Sequence, residues 1–552
     1  MRKISFLLML LVMSIVAQAQ IATNIYWVQF TDKNDSPYSI DVPEAYLSQR
    51  ALDRRARLGI EIDEYDIPVN PQYLQAVANC GAQLLNPSKW LNGVTVYTTN
   101  PAVIDTINAL AFVETVRDCP SYPEAQEAKE QWLAKEKSPV ESVDVVRGYY
   151  GGGYTQITQL NGQVLHDNGY QGEGMVVAIL DGGFVGTDTH PCFDNMRDEG
   201  RLLGTREFVY GSTSVYTQST HGTSCLSTMA AYVPQTFVGT APKASYYLIH
   251  TEDGDSETIA EEYNWVSGAE YADSLGVDVT TTSLGYIDFD DNMSQWDHPF
   301  AHFDGHTAPM TIGAEIAASR GIVCLIAAGN EGDGTCTLGI PADAEHVITV
   351  GAVDSHGERA FFSSVGPTYD GRIKPDVMAM GHGTYVADDP SSFWGEPYYN
   401  GSGTSFATPV LAGAVTCLRQ AYPYLSVQEF CDVVREVSNR ADHPDNSYGY
   451  GIPDFSAAMN LLHVEDTFVQ KNDLIMAYPN PSQGDVHIML KENCVADLTV
   501  YDVMGRLIKT YHFNGLNHTT LENYMNGLDS GVYFIKAASD IGNQTIKVVI
   551  TK

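Results

Sequence analysis

Along residues 148–465, short apolar runs alternate with longer stretches whose apolar residues recur every three or four positions. The runs are MVVAILDGG (175–183), ASYYLIHTE (244–252), VDVTTTSLG (277–285), IVCLIAAGN (322–330) and VITVGAVD (347–354). Unbroken runs of this length read as strands buried on both faces. The stretches 222–232, 256–275 and 309–320 read as helices, and so does Ala407–Leu418. Buried strands alternating with helices predict a mostly parallel, doubly wound sheet between two helical layers, an α/β fold. In such sheets ligands bind beyond the C-terminal strand ends. Asp181, Ser283 and Asn330 all stand at such ends.

The pattern changes on both sides. IYWVQF (25–30) and GVTVYT (93–98) read as strands, and residues 44–59 and 101–113 as amphipathic helices, together a small α+β unit. Residues 121–147 are rich in Glu and Lys with few apolar anchors, which reads as an exposed linker open to proteolysis. From 474 to 552, alternating runs (DVHIML, ADLTVYDVMG, GVYFIKA, TIKVVITK) separated by Gly, Asn and Asp turns predict a small β-sandwich. The start carries Arg2, Lys3, an apolar run Ile4–Val16 and then Ala17-Gln18-Ala19. That is the form of a signal peptide, with an apolar run too short to anchor in a bilayer. The chain thus divides into 1–19, 20–120, 121–147, 148–465 and 474–552.

Charge adds an exclusion. The 552 residues carry 31 Lys and Arg against 68 Asp and Glu, for a net charge of −37. Residues 148–465 hold 11 bases against about 40 acids, while 474–552 hold 6 against 7. So acidic a surface repels nucleic acid and suits a soluble exported protein. The nine cysteines include no CxxC pair, so zinc spacing is absent. In an exported chain disulfides are expected, and Cys324 with Cys336 is the nearest plausible pair.

The chemistry turns on Asn400–Pro409, NGSGTSFATP. A serine ahead of a helix is often only its cap. As a nucleophile it needs a base, a carboxylate to orient that base, and donors for the oxyanion. Each has a candidate. Asp181 ends the strand MVVAIL, His221 opens HGTSCLSTMAA, and Asn330 closes LIAAGN in a tight turn. The chain order Asp, His, Ser is that of subtilisin. With GTSFATP, AAGNEG, GTAPKA (239–244), FFSSVGP and IKPDVMAMG, residues 148–465 resemble the subtilisin-like serine proteases, the subtilases.

The resemblance implies a role for each group. Ser405 would attack the scissile carbonyl, His221 would carry the proton, and Asp181 would orient His221. Asn330 and the Ser405 N–H would form the oxyanion hole. Ser283, Leu284 and Gly285 would pair with the substrate backbone, facing Ala327, Ala328 and Gly329 across the primary specificity pocket. The chemistry needs no cofactor. A structural Ca²⁺ is admitted, with the acidic loop 288–292 as its candidate against plain solvation. Two positions depart from the family. Gly182 stands where Ser or Thr usually follows the Asp, and Ser224 where a second His is usual. Cys225, one turn after His221, reads as a small buried apolar residue. His298, His302 and His306 read as loop polar residues, YGGGY (150–154) as a flexible lead-in, and Glu331 with Asp333 as candidates for drawing a basic P1 residue.

Residues 20–120 stand where a subtilase propeptide stands, which implies a folding template and inhibitor, with processing between 120 and 150. The tail resembles the type IX secretion sorting domain, through YPNPSQG (478–484), VYDVMGRLI (500–508), LDSGVYFIKA (528–537) and KVVITK. It implies export through the periplasm and across the outer membrane, to the cell surface or beyond. The expectation is a secreted serine endopeptidase made as a zymogen. Its partners are protein or peptide substrates, its own propeptide and the type IX machinery. A non-catalytic surface adhesin is the first rival, opposed by the presence of all four groups. A peptide ligase or cyclase with the same triad is the second, and the sequence does not separate it from hydrolysis.

Overall fold

The structure, a computed structural model, describes residues 24–119, 148–209, 211–254, 256–290, 294–388, 397–469, 475–478, 487–490, 496–513, 528–539 and 542–550. The signal peptide, the linker 121–147, Asp291 and Asn292, and most of YPNPSQG lie outside them. The chain forms two compact units, Met1–Ser456 and Ala457–Lys552.

The first unit begins with β1 (Ile25–Phe30), α1 (Gln49–Leu58), α2 (Pro71–Asn79), β2 (Gln83–Ser88), β3 (Gly93–Tyr97), α3 (Pro101–Asn108) and β4 (Val113–Asp118). The strands form an antiparallel sheet in the order β2-β3-β1-β4. Alternation puts Val28, Phe30, Val94 and Val96 on one face, against Val77 of α2 and Ile107 of α3. The helix expected over 101–113 stops at Asn108, because Val113 already pairs in β4. Leu110 and Phe112 reach the same core from the intervening turn.

The large sheet follows. Its elements are β5 (Val176–Asp181), β6 (Leu202–Glu207), α4 (His221–Ala230), β7 (Ser245–His250), α5 (Ile259–Leu275), β8 (Val279–Thr282), α6 (Pro309–Ser319), β9 (Val323–Ala327), β10 (Ile348–Val353) and β11 (Val377–Met380). Beyond it lie the antiparallel pair β12 (His382–Ala387) and β13 (Tyr398–Ser402), then α7 (Thr404–Ala421) and α8 (Val427–Glu436). The seven strands run in the order β11-β10-β9-β8-β5-β7-β6, and every neighbouring pair is parallel. Helices α4 and α7 pack on one face, α5 and α6 on the other. This is the expected three-layer architecture, with β5, β8, β9 and β10 buried at every position.

The small sheet docks on α5 through its second face. Trp27 stacks on Tyr263 with ring centroids 4.5 Å apart, and Trp90 joins the same core. Around this contact the interface is ionic. Arg54 and Arg55 of α1 reach Asp273 of α5 at 2.5 and 2.9 Å, and Lys89 Nζ reaches the same carboxylate at 3.0 Å. The amides of Lys89 and Trp90 donate to Glu270 at 2.8 and 3.0 Å.

Two expectations are corrected. YGGGY is packed rather than flexible: a Cβ on Gly151 would lie 2.3 Å from the Thr236 carbonyl oxygen, and one on Gly152 2.3 Å from the Tyr385 ring. Those glycines serve close approach. Cys324 and Cys336 do not pair, and every described cysteine is free. Cys324 sits inside β9, where burial pushes its thiol up to about 12.

In the second unit β14 (Ile475–Tyr478) pairs antiparallel with β15 (His487–Leu490). β16 (Ala496–Asp502), β17 (Leu507–Phe513), β18 (Gly531–Ser539) and β19 (Gly542–Ile550) form an antiparallel sheet in the order β17-β16-β18-β19. Leu498, Val500, Ile535, Val548 and Ile550 make its core.

Candidate active site

Strand β5 ends at Asp181, buried in the middle of the sheet. The chain beyond it is gripped by the segment leading into α4. Phe184 N donates to Val215 O, Val185 N to Ser219 O and Gly222 N to Gly183 O, at 2.9, 2.9 and 3.0 Å. This grip sets His221, the first residue of α4, against Asp181, with Nδ1 and Oδ1 2.8 Å apart. The same Oδ1 accepts the Gly182 amide at 2.8 Å, while Oδ2 is buried without a partner. Gly182 supplies no hydroxyl where a Ser or Thr would have one. Burial by itself favours loss of the imidazolium proton, but Asp181 reverses that and holds His221 well above the ordinary 6.5 of histidine. Burial pushes the Cys225 thiol up, so it stands beside the pair as a neutral S–H, 3.9 and 4.0 Å from the ring nitrogens.

Ser405 is the second residue of α7, not its cap. The cap position is Gly403, which offers no side chain. The Ser405 N–H is therefore among the first-turn amides that a helix cannot bond to itself, at the positive end of its dipole. Pro409 lies inside the helix and has no N–H to give the carbonyl four residues back. That carbonyl belongs to Ser405, and it accepts instead from Ser283 Oγ at 2.8 Å and Cys225 Sγ at 3.3 Å. The nucleophile candidate is thereby tied to the end of β8 and to α4. The His221 and Phe406 rings lie 5.8 Å apart, which closes the contact between α4 and α7. Ser405 Oγ donates to Ser283 O at 3.3 Å.

Asn330 is fixed by its acceptor side. Its Oδ1 takes bonds from Thr404 N at 2.9 Å and Thr404 Oγ1 at 3.0 Å. The amide nitrogen is left facing the start of α7, 3.8 Å from where a Gly403 Cβ would stand. Gly329, at φ +114°, makes the turn that permits this, and a Cβ there would lie 2.7 Å from Ser364 Oγ.

The substrate-binding candidates occupy neighbouring strand ends. Ser283, Leu284 and Gly285 follow β8, and Ala327 to Gly329 close β9. Leu284 points into the core, so that strand can offer a peptide only its main chain. Between the two segments runs a loop the sequence did not place: Gly339 N donates to Ala328 O at 3.0 Å, and Tyr286 exchanges bonds with Ile340. Gly339, 3.3 Å from a Cβ on Gly285, thus forms a floor without a side chain. Asp333 pairs with Arg359 at the surface, and Glu331 is exposed.

Ser224 bonds Ala387 O at 2.7 Å. His298 pairs with Glu262 at 2.6 Å and with His302 at 3.1 Å, and His306 is exposed beside Asp304. Among the described residues the one group of three potential metal ligands is Asp181, His221 and Cys225, which is the site itself. Sequence reading missed Thr404, Gly339 and Glu252. Glu252 lies just past β7, where burial and then Asp181 push its carboxyl up to about 8. Its signal was the acid-rich stretch TEDGDSE after an apolar run.

A histidine paired with a buried carboxylate, a serine in a helix's first turn and an amide donor beside it, all at the ends of parallel strands, define the class: a serine hydrolase on an α/β scaffold. Comparison with known sequences narrows it. The Subtilase family profile matches residues 172–451, and the chain belongs to that family. It is therefore a subtilisin-family serine protease, an endopeptidase. Residues 25–134 match the peptidase S8 propeptide domain of Bacteroidota, and 476–551 a secretion system C-terminal sorting domain. The chain is 35% identical to subtilisin NAT of Bacillus subtilis subsp. natto over 300 residues, 53% of this chain and 68% of that one. It is 31% identical to the serine protease AprX of Bacillus subtilis over 316 residues, 53% of this chain and 66% of that one. Against the subtilisin of Bacillus pumilus it is 33% identical over 53% of this chain and 94% of that one.

Proposed function

We propose that the protein is a secreted endopeptidase, made as a zymogen, that cuts peptide bonds through Asp181, His221 and Ser405. The observation that carries this is the buried Asp181–His221 pair, 2.8 Å apart and packed beside Ser405 in the first turn of α7. Ser405 Oγ transfers its hydrogen bond from Ser283 O to His221 Nε2 as the substrate carbonyl arrives. The serine then attacks, its proton passes to His221, and the acyl-enzyme forms as that proton goes to the leaving amine. Asp181 holds Nδ1 protonated so that Nε2 is the basic nitrogen. The Asn330 amide and the Ser405 N–H receive the oxyanion, which is worth most where water is excluded. The substrate backbone pairs with Ser283–Gly285 as an added strand, and the P1 side chain enters between it and Ala327–Gly329 over Gly339. Subtilisins need no cofactor for catalysis, and none is invoked.

Residues 20–120 are assigned as the inhibitory propeptide, 121–147 as the region where it is cut away, 148–465 as the catalytic domain and 474–552 as the sorting tail. The ionic and aromatic seat of the small sheet on α5 supports the first assignment. The tail directs the protein through the type IX machinery to the cell surface or medium. The test is hydrolysis of a mixed peptide library by the processed protein beside Ser405→Ala. Cleavage that vanishes in the variant supports the serine mechanism. A processed wild type as inert as the variant refutes it.

A further inference from the structure

We propose that Glu252 is a specificity residue that receives a lysine or arginine side chain of the peptide substrate, N-terminal to the bond that is cut. The inference rests on the reading of the site as a peptidase and names its substrate class. In the sheet, β5 lies between β8 and β7. A peptide paired with Ser283–Gly285 beyond β8 therefore passes over the end of β5, and its side chains face the segment that follows β7. Glu252 stands in that segment, two residues after His250, which is in register with Asp181. The residue between them in space is Gly182, and the atoms nearest a Cβ there belong to Glu252, its Cβ and Cδ both 3.9 Å away. With no side chain on Gly182, only a glycine stands between the Asp181–His221 pair and the Glu252 carboxyl.

That carboxyl is buried, and its Oε2 has no hydrogen-bond partner. Nor does a lysine or arginine pair with it among the described residues. An unsatisfied buried carboxyl costs stability, and sequences rarely retain one without use. Its surroundings are acidic throughout. Asp181 and Asp253 lie close enough to disfavour its ionisation, and His221 is the one neighbour that favours it. Glu261 is spent on the Asp253 and Thr258 amides, and Tyr286 Oη is likewise buried without a partner. A cationic side chain that reaches this carboxyl past Gly182 supplies the missing charge and donors together. An acidic side chain meets repulsion.

The test uses the processed, full-length secreted protein and a set of otherwise neutral peptides in which lysine replaces norleucine at each of the four positions before the cleaved bond. Lysine at one position is expected to raise kcat/KM by about tenfold or more, the usual worth of a hydrogen bond to a charged group. The isosteric Glu252→Gln should bring the ratio of kcat/KM for the lysine peptide to that for the norleucine peptide down to about one, whatever it does to the norleucine peptide itself. No lysine preference in a protein that hydrolyses the neutral peptide overturns the proposal alone, as does a preference that survives Glu252→Gln. A pH profile shifted alike for all peptides, with their ranking intact, also overturns it and makes Glu252 a positioning group for Asp181. Failure to hydrolyse any peptide overturns both the proposal and the reading beneath it.

Discussion

At the scale of the residue, the Asp181–His221 pair makes a prediction about pH. Only the neutral imidazole can accept the serine proton, and Asp181 keeps His221 charged to a pH above the ordinary 6.5. Activity should therefore be low at and below that pH and climb on the alkaline side. The ascending limb of kcat/KM against pH measures it. Asp181→Asn removes the charge and leaves burial, which acts the other way. The limb should move toward acid while kcat falls by about 10⁴, the loss such a change causes in a serine triad. Asn330→Ala takes away one donor of the proposed oxyanion hole while its partner Thr404 stays in place. It should lower kcat by about 10²–10³ with KM little changed, the size measured when the matching donor of a subtilisin is removed.

At the scale of the element, the meaning of Pro409 shows how far the sequence could be read. GTSFATP was legible as a family pattern, with Ser405 as its proposed nucleophile. That Pro409 frees the Ser405 carbonyl is also implicit in the chain, since a proline has no N–H. What receives the carbonyl is not, because Ser283 and Cys225 come from elements far apart in sequence. In a Ser405→Ala background, which prevents self-digestion, Ser283→Ala should cost about 1 kcal/mol in chemical denaturation, the net worth of one buried hydrogen bond. An unchanged midpoint would mean another donor takes its place. The same division holds for the strands. Five of the seven were legible because short runs rich in apolar and β-branched residues fit best in a sheet covered on both faces. The two edge strands were not: LLGTRE is half polar, and VMAM has only four residues. Loop 331–345 was opaque, since Gly339 is placed by pairing with Ala328, not by anything in its own neighbourhood.

At the scale of the whole molecule, the acid excess of residues 148–465 finds part of its counter-charge inside the same chain. In α1, QRALDRRARL, the arginines look like a solvated face, yet Arg54 and Arg55 are buried. The reason lies across the interface. Arg54, Arg55 and Lys89 converge on Asp273, while Arg50 and Arg57 pair with Asp278. Burial alone would raise the Asp273 carboxyl, but Lys89, Arg55 and Arg54 overcome it and hold it well below the usual carboxylate range. A carboxylate depressed in the folded state contributes stability that is complete above its ordinary 3.8 and is lost only as pH falls through the lower folded value. Between pH 5 and 8 the pairs made by Asp273 should therefore be insensitive to pH, and the small sheet should leave α5 only after the chain between them is cut. Removing the shared acid strands Arg54 and Lys89, while Arg55 keeps Asp66 at 2.7 Å, and breaking a buried pair in this way costs about 3–5 kcal/mol. The unprocessed Ser405→Ala protein carrying Asp273→Ala should be destabilised by that amount relative to Ser405→Ala alone, equally at pH 5 and pH 8, as read from denaturant unfolding. A loss confined to one end of that range would assign the latch to a different titrating group. A loss below about 1 kcal/mol, the usual ceiling for an exposed ion pair, would mean that Trp27 and Trp90 seat the sheet and the ions only set its register.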